Sequence, residues 1–294
     1  MDAKTEICCL IGRPVEHSLS PLIHNTLASR LGINMAYAAF CVADGDVGDA
    51  VRGALALGIK GMNVTVPHKL AVMGSLAETD PLAAKIGAVN TLVRTDGGYK
   101  GYNTDIIGLD RELREAGIQI EGGSVIILGA GGASRAITYL CADRGADKIW
   151  LLNRTLSRAR ELAAEVNSYF GEKVTPLALE DYVKIPVGKY PVIQTTSAGL
   201  YPHTDALPIE DDGFYELVSA GVDIIFNPAR TAFMKKCEQH GAPAHNGLKM
   251  LLYQGIAAFE LWNGVTVEQE LANEILAMLE REHTVMRKKE ESGE

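Results

Sequence analysis

Val125-Ile126-Ile127-Leu128 runs without interruption into Gly129-Ala130-Gly131-Gly132-Ala133-Ser134-Arg135. The order is an apolar strand, a glycine turn and then a helix, the beginning of a strand–helix–strand unit. Glycines let the backbone pass close to a ligand. The free N–H groups of the helix start favour an anion there. Gly129, Ala130, Gly131, Gly132 and Ala133 are therefore the expected seat of a pyrophosphate. Ser134 replaces the third glycine of G-x-G-x-x-G and is small enough for close helix packing. A plain tight turn is the alternative.

The next strand, Lys148–Leu152, ends about twenty residues on, where an NAD-binding chain carries Asp or Glu for the ribose hydroxyls. Here the sequence reads Asn153-Arg154-Thr155, with Arg158 a helical turn later and no carboxylate. Guanidinium groups suit bidentate contact with a phosphate monoester. The reading is a 2′-phosphate site and NADP as cofactor. Solvated residues at a helix start are the alternative.

Strand and helix signals alternate twice along the chain. The first series is strand Ile7–Ile11, helix Pro21–Leu31 with Ser20 as N-cap, strand Met35–Val42, helix Asp46–Leu57 and strand Gly61–Val66. A hairpin follows, Ala88–Thr95 turned by Asp96-Gly97-Gly98 into Tyr99–Tyr102, then a helix near Asp105–Ala116. The second series is Ser124–Leu128, Ala133–Arg144, Lys148–Leu152 and Ser157–Tyr169, with further strands at Lys173–Pro176, Pro191–Gln194, Gly221–Ile225 and Pro243–Ala244. Two α/β units with mainly parallel sheets are expected. The stretch 248–280 is helical with no strand of its own, so it is expected to return to the first unit and make it discontinuous. The tail Arg287 to Glu294 reads as a charged, fraying end.

Of the 294 residues, 47% are hydrophobic, enough for a real core, and the net charge is −9. That balance argues against nucleic acid or an anionic membrane as partner. A small anionic substrate answers to local charge and stays open. No signal peptide and no transmembrane run is expected. Cys8, Cys9, Cys41, Cys141 and Cys237 show no Cys-x-x-Cys spacing and fit reduced thiols in a cytoplasm. The seven histidines form no ligand pattern, and no metal is expected.

Asn63-Val64-Thr65-Val66-Pro67-His68-Lys69 reads as a strand end that delivers a lysine. Pro67 is placed to begin a helix over 68–77. Lys69 then sits in its first turn, where the dipole disfavours a cation and lowers the ammonium pKa. Gly101-Tyr102-Asn103-Thr104-Asp105 precedes the helix near Asp105, and either Thr104 or Asp105 suits its cap. A lysine beside an ionised carboxylate makes an acid/base couple. His68 is a rival acid. Ser18 and Ser20 lie two apart, an arrangement that lets hydroxyls at a strand end face one way and bind a carboxylate. Gln194-Thr195-Thr196-Ser197 and Asp223 to Pro228 are polar rims at strand ends, where ligands of open α/β sheets bind.

The chain resembles the shikimate dehydrogenases, a family that includes the quinate/shikimate dehydrogenases. The resemblance rests on Ser18-Leu19-Ser20-Pro21, Asn63 to Lys69, Gly87-Ala88-Val89-Asn90-Thr91, Gly101 to Asp105, Gly129 to Ser134, Asn153-Arg154-Thr155 and Gly247 to Gln254. It implies an α/β fold of two α/β domains. One is a substrate domain over 1–105, completed by helices of 247–294; the other is a Rossmann-type NADP-binding domain over 106–246. It implies NADPH-dependent reduction of 3-dehydroshikimate to shikimate, a step of aromatic amino acid biosynthesis. By resemblance, Lys69 and Asp105 are catalytic. Ser18 and Ser20 match the carboxylate-binding serines, and Thr65, Asn90 and Gln254 the residues that hold substrate hydroxyls. Asn153, Arg154, Thr155 and Arg158 match the 2′-phosphate cluster, with Thr196 and Ser197 on the nicotinamide side. The expected partners are a small-molecule substrate and a second copy in a homodimer. Two residues depart from the family. Phe226 stands where a tyrosine is usual, a loss of about 1–2 kcal/mol if one hydrogen bond is missing, and Gln194 stands where asparagine is frequent. Relaxed choice between shikimate and quinate is one alternative, and a non-catalytic NADP-binding regulator is another.

Overall fold

The computed structural model describes residues 1–292. The chain divides into two compact units, Met1–Gly108 with Leu251–Glu282, and Leu109–Met250.

The first unit begins with β1 (Glu6–Gly12), α1 (Ser20–Arg30), β2 (Met35–Cys41), α2 (Val47–Ala56) and β3 (Gly61–Val64). It continues through β4 (Glu78–Thr79), α3 (Pro81–Ile86), β5 (Thr91–Thr95) and β6 (Gly98–Tyr102) into α4 (Asp105–Glu115). Its sheet runs β2-β1-β3-β5-β6-β4. The trio β2-β1-β3 is parallel, but β5 is antiparallel to both β3 and β6. β4 is parallel to β6, so three of the five pairings are parallel and the sheet is mainly parallel as expected, with β5 alone reversed because a tight hairpin joins only antiparallel strands. One consequence positions the site. The carboxyl ends of β1, β3 and β6 and the amino end of β5 all fall at the same end of the sheet.

The helix expected over 68–77 is absent. Residues 66–70 form turns, followed by a 3₁₀ turn over Ala71–Ser75, so the dipole argument for Lys69 no longer has a helix behind it. His68 is buried and its Nε2 donates to Val42 O at 2.9 Å. That tertiary bond competes with continuation into a regular helix. Ser20 is the first residue of α1 and not its cap. Leu19 holds that position without a side-chain bond, and Ser20 N donates to Ser18 Oγ at 3.2 Å.

Helix α9 (Leu248–Asn263) covers one face of this sheet. Trp262 Nε1 donates to Leu92 O at 2.9 Å. A Cβ on Gly61 would fall 2.1 Å from that nitrogen, so the glycine makes the approach possible. His24 of α1 stacks on Tyr37 with ring centroids 4.2 Å apart. Burial drives its imidazole down to about 3, so the ring is a neutral packing group. On the other face Val47, Val51 and Ala54 of α2 pack with Cys9, Ile11, Met62 and Val64.

The second unit carries β7 (Ser124–Leu128), α5 (Gly132–Asp143), β8 (Lys148–Leu152), α6 (Leu156–Phe170), β9 (Val174–Leu177) and β10 (Tyr190–Gln194). It ends with α7 (Asp212–Tyr215), β11 (Val218–Asp223), α8 (Ala232–Gln239) and β12 (Ala244–Asn246). All six strands are parallel, in the order β12-β11-β10-β7-β8-β9. Counted within the unit this is the doubly wound order 3-2-1-4-5-6, whose switch point lies between the first and fourth strands. These are β7 and β10. The last helix, α10 (Gln269–Ser292), extends into the stretch expected to fray, and residues 293 and 294 lie outside the described residues. Among the described residues no helix is long and apolar enough to cross a membrane.

The chain crosses between the units within helices α4 and α9. Glu112 of α4 is buried at 1% exposure, and among the described residues neither carboxyl oxygen has a hydrogen-bond partner of good geometry. Burial pushes this carboxyl up to about 8, and neighbouring Lys249 and the Met250 backbone N–H offset only part of the effect. The folded state therefore keeps a proton that the unfolded chain releases near pH 4.5. The associated stability is full below that pH and is lost as pH rises through about 8. Glu112→Gln removes the titration. Its stability relative to wild type should grow between pH 5 and 8 by on the order of 2–4 kcal/mol, read from urea midpoints. A difference that is flat with pH would contradict the buried neutral carboxyl.

Candidate active site

Lys69, Asn90 and Asp105 meet at the shared end of the first sheet. Lys69 follows β3, Asn90 immediately precedes β5, and Asp105 opens α4 after β6. Lys69 Nζ donates to Asp105 Oδ2 at 2.6 Å. Asn90 Nδ2 donates to Asp105 Oδ1 at 2.9 Å and lies 3.5 Å from Gln254 Oε1. Both carboxylate oxygens are thus engaged by donors. The pair is partly exposed, 30% for the lysine side chain and 20% for the aspartate, so a substrate and protons from solvent have access. Neither candidate for the α4 cap is spent mainly on capping. Asp105 faces Lys69 and Asn90, and the Thr104 hydroxyl lies against Asn90 and Thr91.

Thr65 follows β3 directly, on the same side of the fold. Ser18 lies in the irregular segment after β1 and Ser20 in the first turn of α1, so neither belongs to the extended strand end expected for them. Gln254 is carried into this unit by α9 and anchored by Nε2 donating to Leu251 O at 2.8 Å. His68, turned to Val42 O, is removed as a rival acid.

In the second unit the glycine turn lies at the carboxyl end of β7, at the switch point. Gly129 has φ +115°, and a Cβ there would fall 2.4 Å from Thr195 Oγ1, so glycine is required twice over. A Cβ at Gly131 or Gly132 would meet nothing within 4 Å. The start of α5 has no side-chain cap, and its first N–H groups remain available. Ser134 is fully buried and donates to Gly129 O at 2.6 Å. It therefore braces the turn as well as filling the small-residue position. These features fit a pyrophosphate.

At the end of β8, Asn153 Nδ2 donates to Thr155 O at 2.8 Å. Arg154, Thr155 and Arg158 are exposed. Among the described residues Arg154 and Arg158 have no ion-pair partner, whereas Arg135 is paired with Glu165 and Arg144 with Asp110. Two uncommitted guanidinium groups beside an uncapped helix start fit a second phosphate.

Two buried side chains shape the neighbouring loops. Gln194 accepts from Thr196 N at 2.5 Å and donates to Thr196 O at 3.2 Å and Ala198 O at 3.0 Å. It folds the loop that bears Thr196 and Ser197. Asp223, pushed up to about 6 by burial, accepts from Thr231 Oγ1 at 2.7 Å and from Ile225 N at 3.0 Å. It closes the loop that bears Phe226. Sequence reasoning placed both residues in polar rims at strand ends and missed that they brace those rims from within. A polar residue that ends an apolar strand was the available signal for both.

The second unit's strand order and the glycine turn at its switch point define a dinucleotide-binding α/β protein, which here also carries a lysine–aspartate couple. Three family models match: shikimate dehydrogenase substrate binding domain over residues 10–92, shikimate/quinate 5-dehydrogenase over 112–198, and shikimate 5′-dehydrogenase C-terminal domain over 247–276. The chain is 43% identical over 275 residues to a shikimate dehydrogenase (NADP(+)) of Bacillus cereus strain B4264, covering 91% of this chain and 96% of that one. A crystal structure of a shikimate dehydrogenase in complex with NADP+ superimposes with TM-score 0.86 at 38% identity, covering 94% and 96% of the two chains. The Thermus thermophilus shikimate 5-dehydrogenase, solved with NADP(H) and shikimate, gives 0.81 at 31% identity over 93% and 99%. The chain belongs to the shikimate dehydrogenase family.

Proposed function

We propose that this protein catalyses the NADPH-dependent, reversible reduction of 3-dehydroshikimate to shikimate. The observation that carries the reading is the Lys69 Nζ to Asp105 Oδ2 contact of 2.6 Å, with Asn90 on the other oxygen. Substrate binding is assigned to the first unit and cofactor binding to the second. NADPH, when bound, supplies a hydride to the carbonyl carbon C3. Lys69 donates a proton from Nζ to the carbonyl oxygen as it becomes an alkoxide, and regains one from solvent through its exposed face. Asp105 orients the ammonium and accepts a hydrogen bond from a substrate hydroxyl. Ser18 and Ser20 hold the carboxylate without a net charge. Thr65, Asn90 and Gln254 fix the ring by its hydroxyls, which sets the attack geometry. Gly129 to Ala133 receive the pyrophosphate. Asn153, Arg154, Thr155 and Arg158 hold the 2′-phosphate, and Thr196 and Ser197 the nicotinamide side.

The reading includes a homodimer and a cytoplasmic setting. β2 leaves one edge of its sheet open, and Phe40 on it is 51% exposed, which supports pairing there. Light scattering should return twice the monomer mass. All five cysteines are free thiols, as suits a reducing compartment.

The test is an absorbance assay at 340 nm crossing shikimate and quinate with NADP+ and NAD+. Shikimate with NADP+ should give the highest kcat/KM. Turnover of quinate at a comparable rate would shift the reading to a quinate/shikimate enzyme. Cofactor binding without turnover on either substrate would make the chain a regulator.

A further inference from the structure

Behind Asp105 lies a line of buried polar side chains that meets the substrate-facing groups at Asn90 and, at its far end, through the Tyr37 hydroxyl beside Ser20. Tyr37 on β2 donates its hydroxyl to Asn63 Oδ1 at 2.7 Å. Asn63 Nδ2 donates to Thr91 Oγ1 at 3.1 Å and lies 3.4 Å from Asn90 O. Thr91 Oγ1 lies 3.1 Å from Asn90 Oδ1 and 3.0 Å from Thr104 Oγ1. Thr104 gives Asn90 Oδ1 a backbone N–H at 2.7 Å, with its hydroxyl at 3.2 Å. Thr91 and Thr104 are fully buried, and Asn63, Asn90 and Tyr37 are each at most 5% exposed.

The orientation of both amides in this line follows from its two ends. A backbone carbonyl only accepts, so the Asn63 atom beside Asn90 O is the nitrogen, and Asn63 Oδ1 must face Tyr37. A backbone N–H only donates, so the Asn90 atom facing Thr104 N is the oxygen. The Asn90 nitrogen is then turned to Asp105. Thr91 accepts from Asn63 and has its single proton left for the Asn90 and Thr104 oxygens. With up to three donors converging on one carbonyl oxygen, a flipped Asn90 amide would set N–H against N–H in a site closed to water, which is strongly disfavoured. His24 stacked on Tyr37 restrains the far end.

We propose that Thr91, Thr104 and Asn63, anchored by the Tyr37 hydroxyl, are positioning residues that lock the Asn90 amide with its nitrogen on Asp105. They thereby keep both oxygens of that carboxylate turned to donors and its couple with Lys69 intact. The proposal rests on the reaction assigned above. Without the lock, Asn90 samples the orientation that presents oxygen to carboxylate. Asp105 then swings away from Lys69, while substrate and cofactor contacts made elsewhere persist.

Thr91→Val and Thr104→Val keep the shape of the side chain and remove one hydroxyl each. In shikimate oxidation with NADP+, each should lower kcat about tenfold and leave KM for NADP+ within about twofold. Thr91→Ser and Thr104→Ser should return kcat to near the wild-type value. The double valine variant should lose less than the product of the two single losses, since both hydroxyls act on Asn90 Oδ1. Near wild-type kcat in both valine variants, or a loss that serine does not restore, overturns the proposal. If a valine variant does not fold, Tyr37→Phe removes the far hydroxyl, and because that hydroxyl also meets Ser20, KM for shikimate is read beside kcat to separate substrate binding from the lock. A kcat loss of about threefold there supports the lock, and an unchanged kcat overturns it. The Asn90 side-chain amide gives a readout that needs no turnover. Its two protons should appear as separate, slowly exchanging signals in ¹⁵N-resolved spectra of wild type and exchange faster with solvent in the variant tested. Unchanged exchange overturns the proposal. Should wild type turn over neither shikimate nor quinate, the assigned reaction fails, and the amide signals alone decide on the lock.

Discussion

Lys69→Ala should lower kcat by on the order of 10²–10⁴ and change KM for shikimate by no more than about threefold. The backbone around Lys69 does not depend on its side chain, since Lys69 O accepts from Val89 N at 2.9 Å. The turn should therefore survive the substitution. Asp105 keeps its bond from Asn90, and Ser18, Ser20, Thr65 and Gln254 are untouched. Ground-state binding of the ring is retained, and what disappears is the proton donor that acts as charge develops on the substrate oxygen. An interaction needed mainly in the transition state appears in kcat and not in KM. The measurement is steady-state kinetics in both directions, with circular dichroism to confirm the fold. A kcat within about tenfold of wild type would assign the proton to another group, because general acid catalysis contributes more than that.

The elements that read correctly from sequence carry short-range signals. Ser124–Leu128 and Lys148–Leu152 are strands with the bounds expected from their apolar runs, because burial on both faces leaves little to the surroundings. The glycine turn was legible for the same reason. Gly129 is required by its own φ and by Thr195 close against it. The segment after Pro67 was not legible. Proline at a helix start is a local preference, and His68 bonded to Val42 O is a tertiary contact 26 residues away. Helix α8 carried a readable signal that was passed over, Thr231 capping it by accepting from Met234 N at 3.3 Å.

The site divides along the same line. Lys69 and Asp105 were suspected as a couple, but only the strand arrangement β3-β5-β6 brings them to 2.6 Å. Asn63 and Thr91 gave no signal of their own. Each is a polar residue in or beside a strand, and its partner is fixed by the register Asn63↔Thr91 of β3 and β5. Registry of non-neighbouring strands is a property of the assembled sheet, so a single sequence cannot assign these bonds. Ser18 and Ser20 show the converse. The spacing pointed to paired hydroxyls on an extended strand end, yet the chain carries them on a turn and a helix start, so the period-two geometry behind that expectation is not the one the chain adopts.

Arg154→Ala should raise KM for NADPH by about 10–100-fold and leave KM for NADH within about twofold. The guanidinium supplies one to two charge-assisted hydrogen bonds to phosphate, about 1.5–3 kcal/mol. Two structural facts favour a value that large at an exposed position. Arg154 has no ion-pair partner among the described residues, so no existing bond must break before phosphate binds. The preceding Asn153, bonded to Thr155 O at 2.8 Å, stiffens the backbone that presents it. The stretch from Asn153 to Arg158 contains no carboxylate to compete for the charge. Arg158 one turn on adds a second cation, so Arg154→Ala/Arg158→Ala should erase most of the preference between the two cofactors. Because the contact is electrostatic and open to solvent, the wild-type preference for NADPH should also shrink as ionic strength rises from about 0.01 to 0.5 M, where the screening length falls well below about 10 Å. Equal changes in KM for both cofactors would place the effect on a part of the dinucleotide that NADPH and NADH share, and would remove the 2′-phosphate from Arg154.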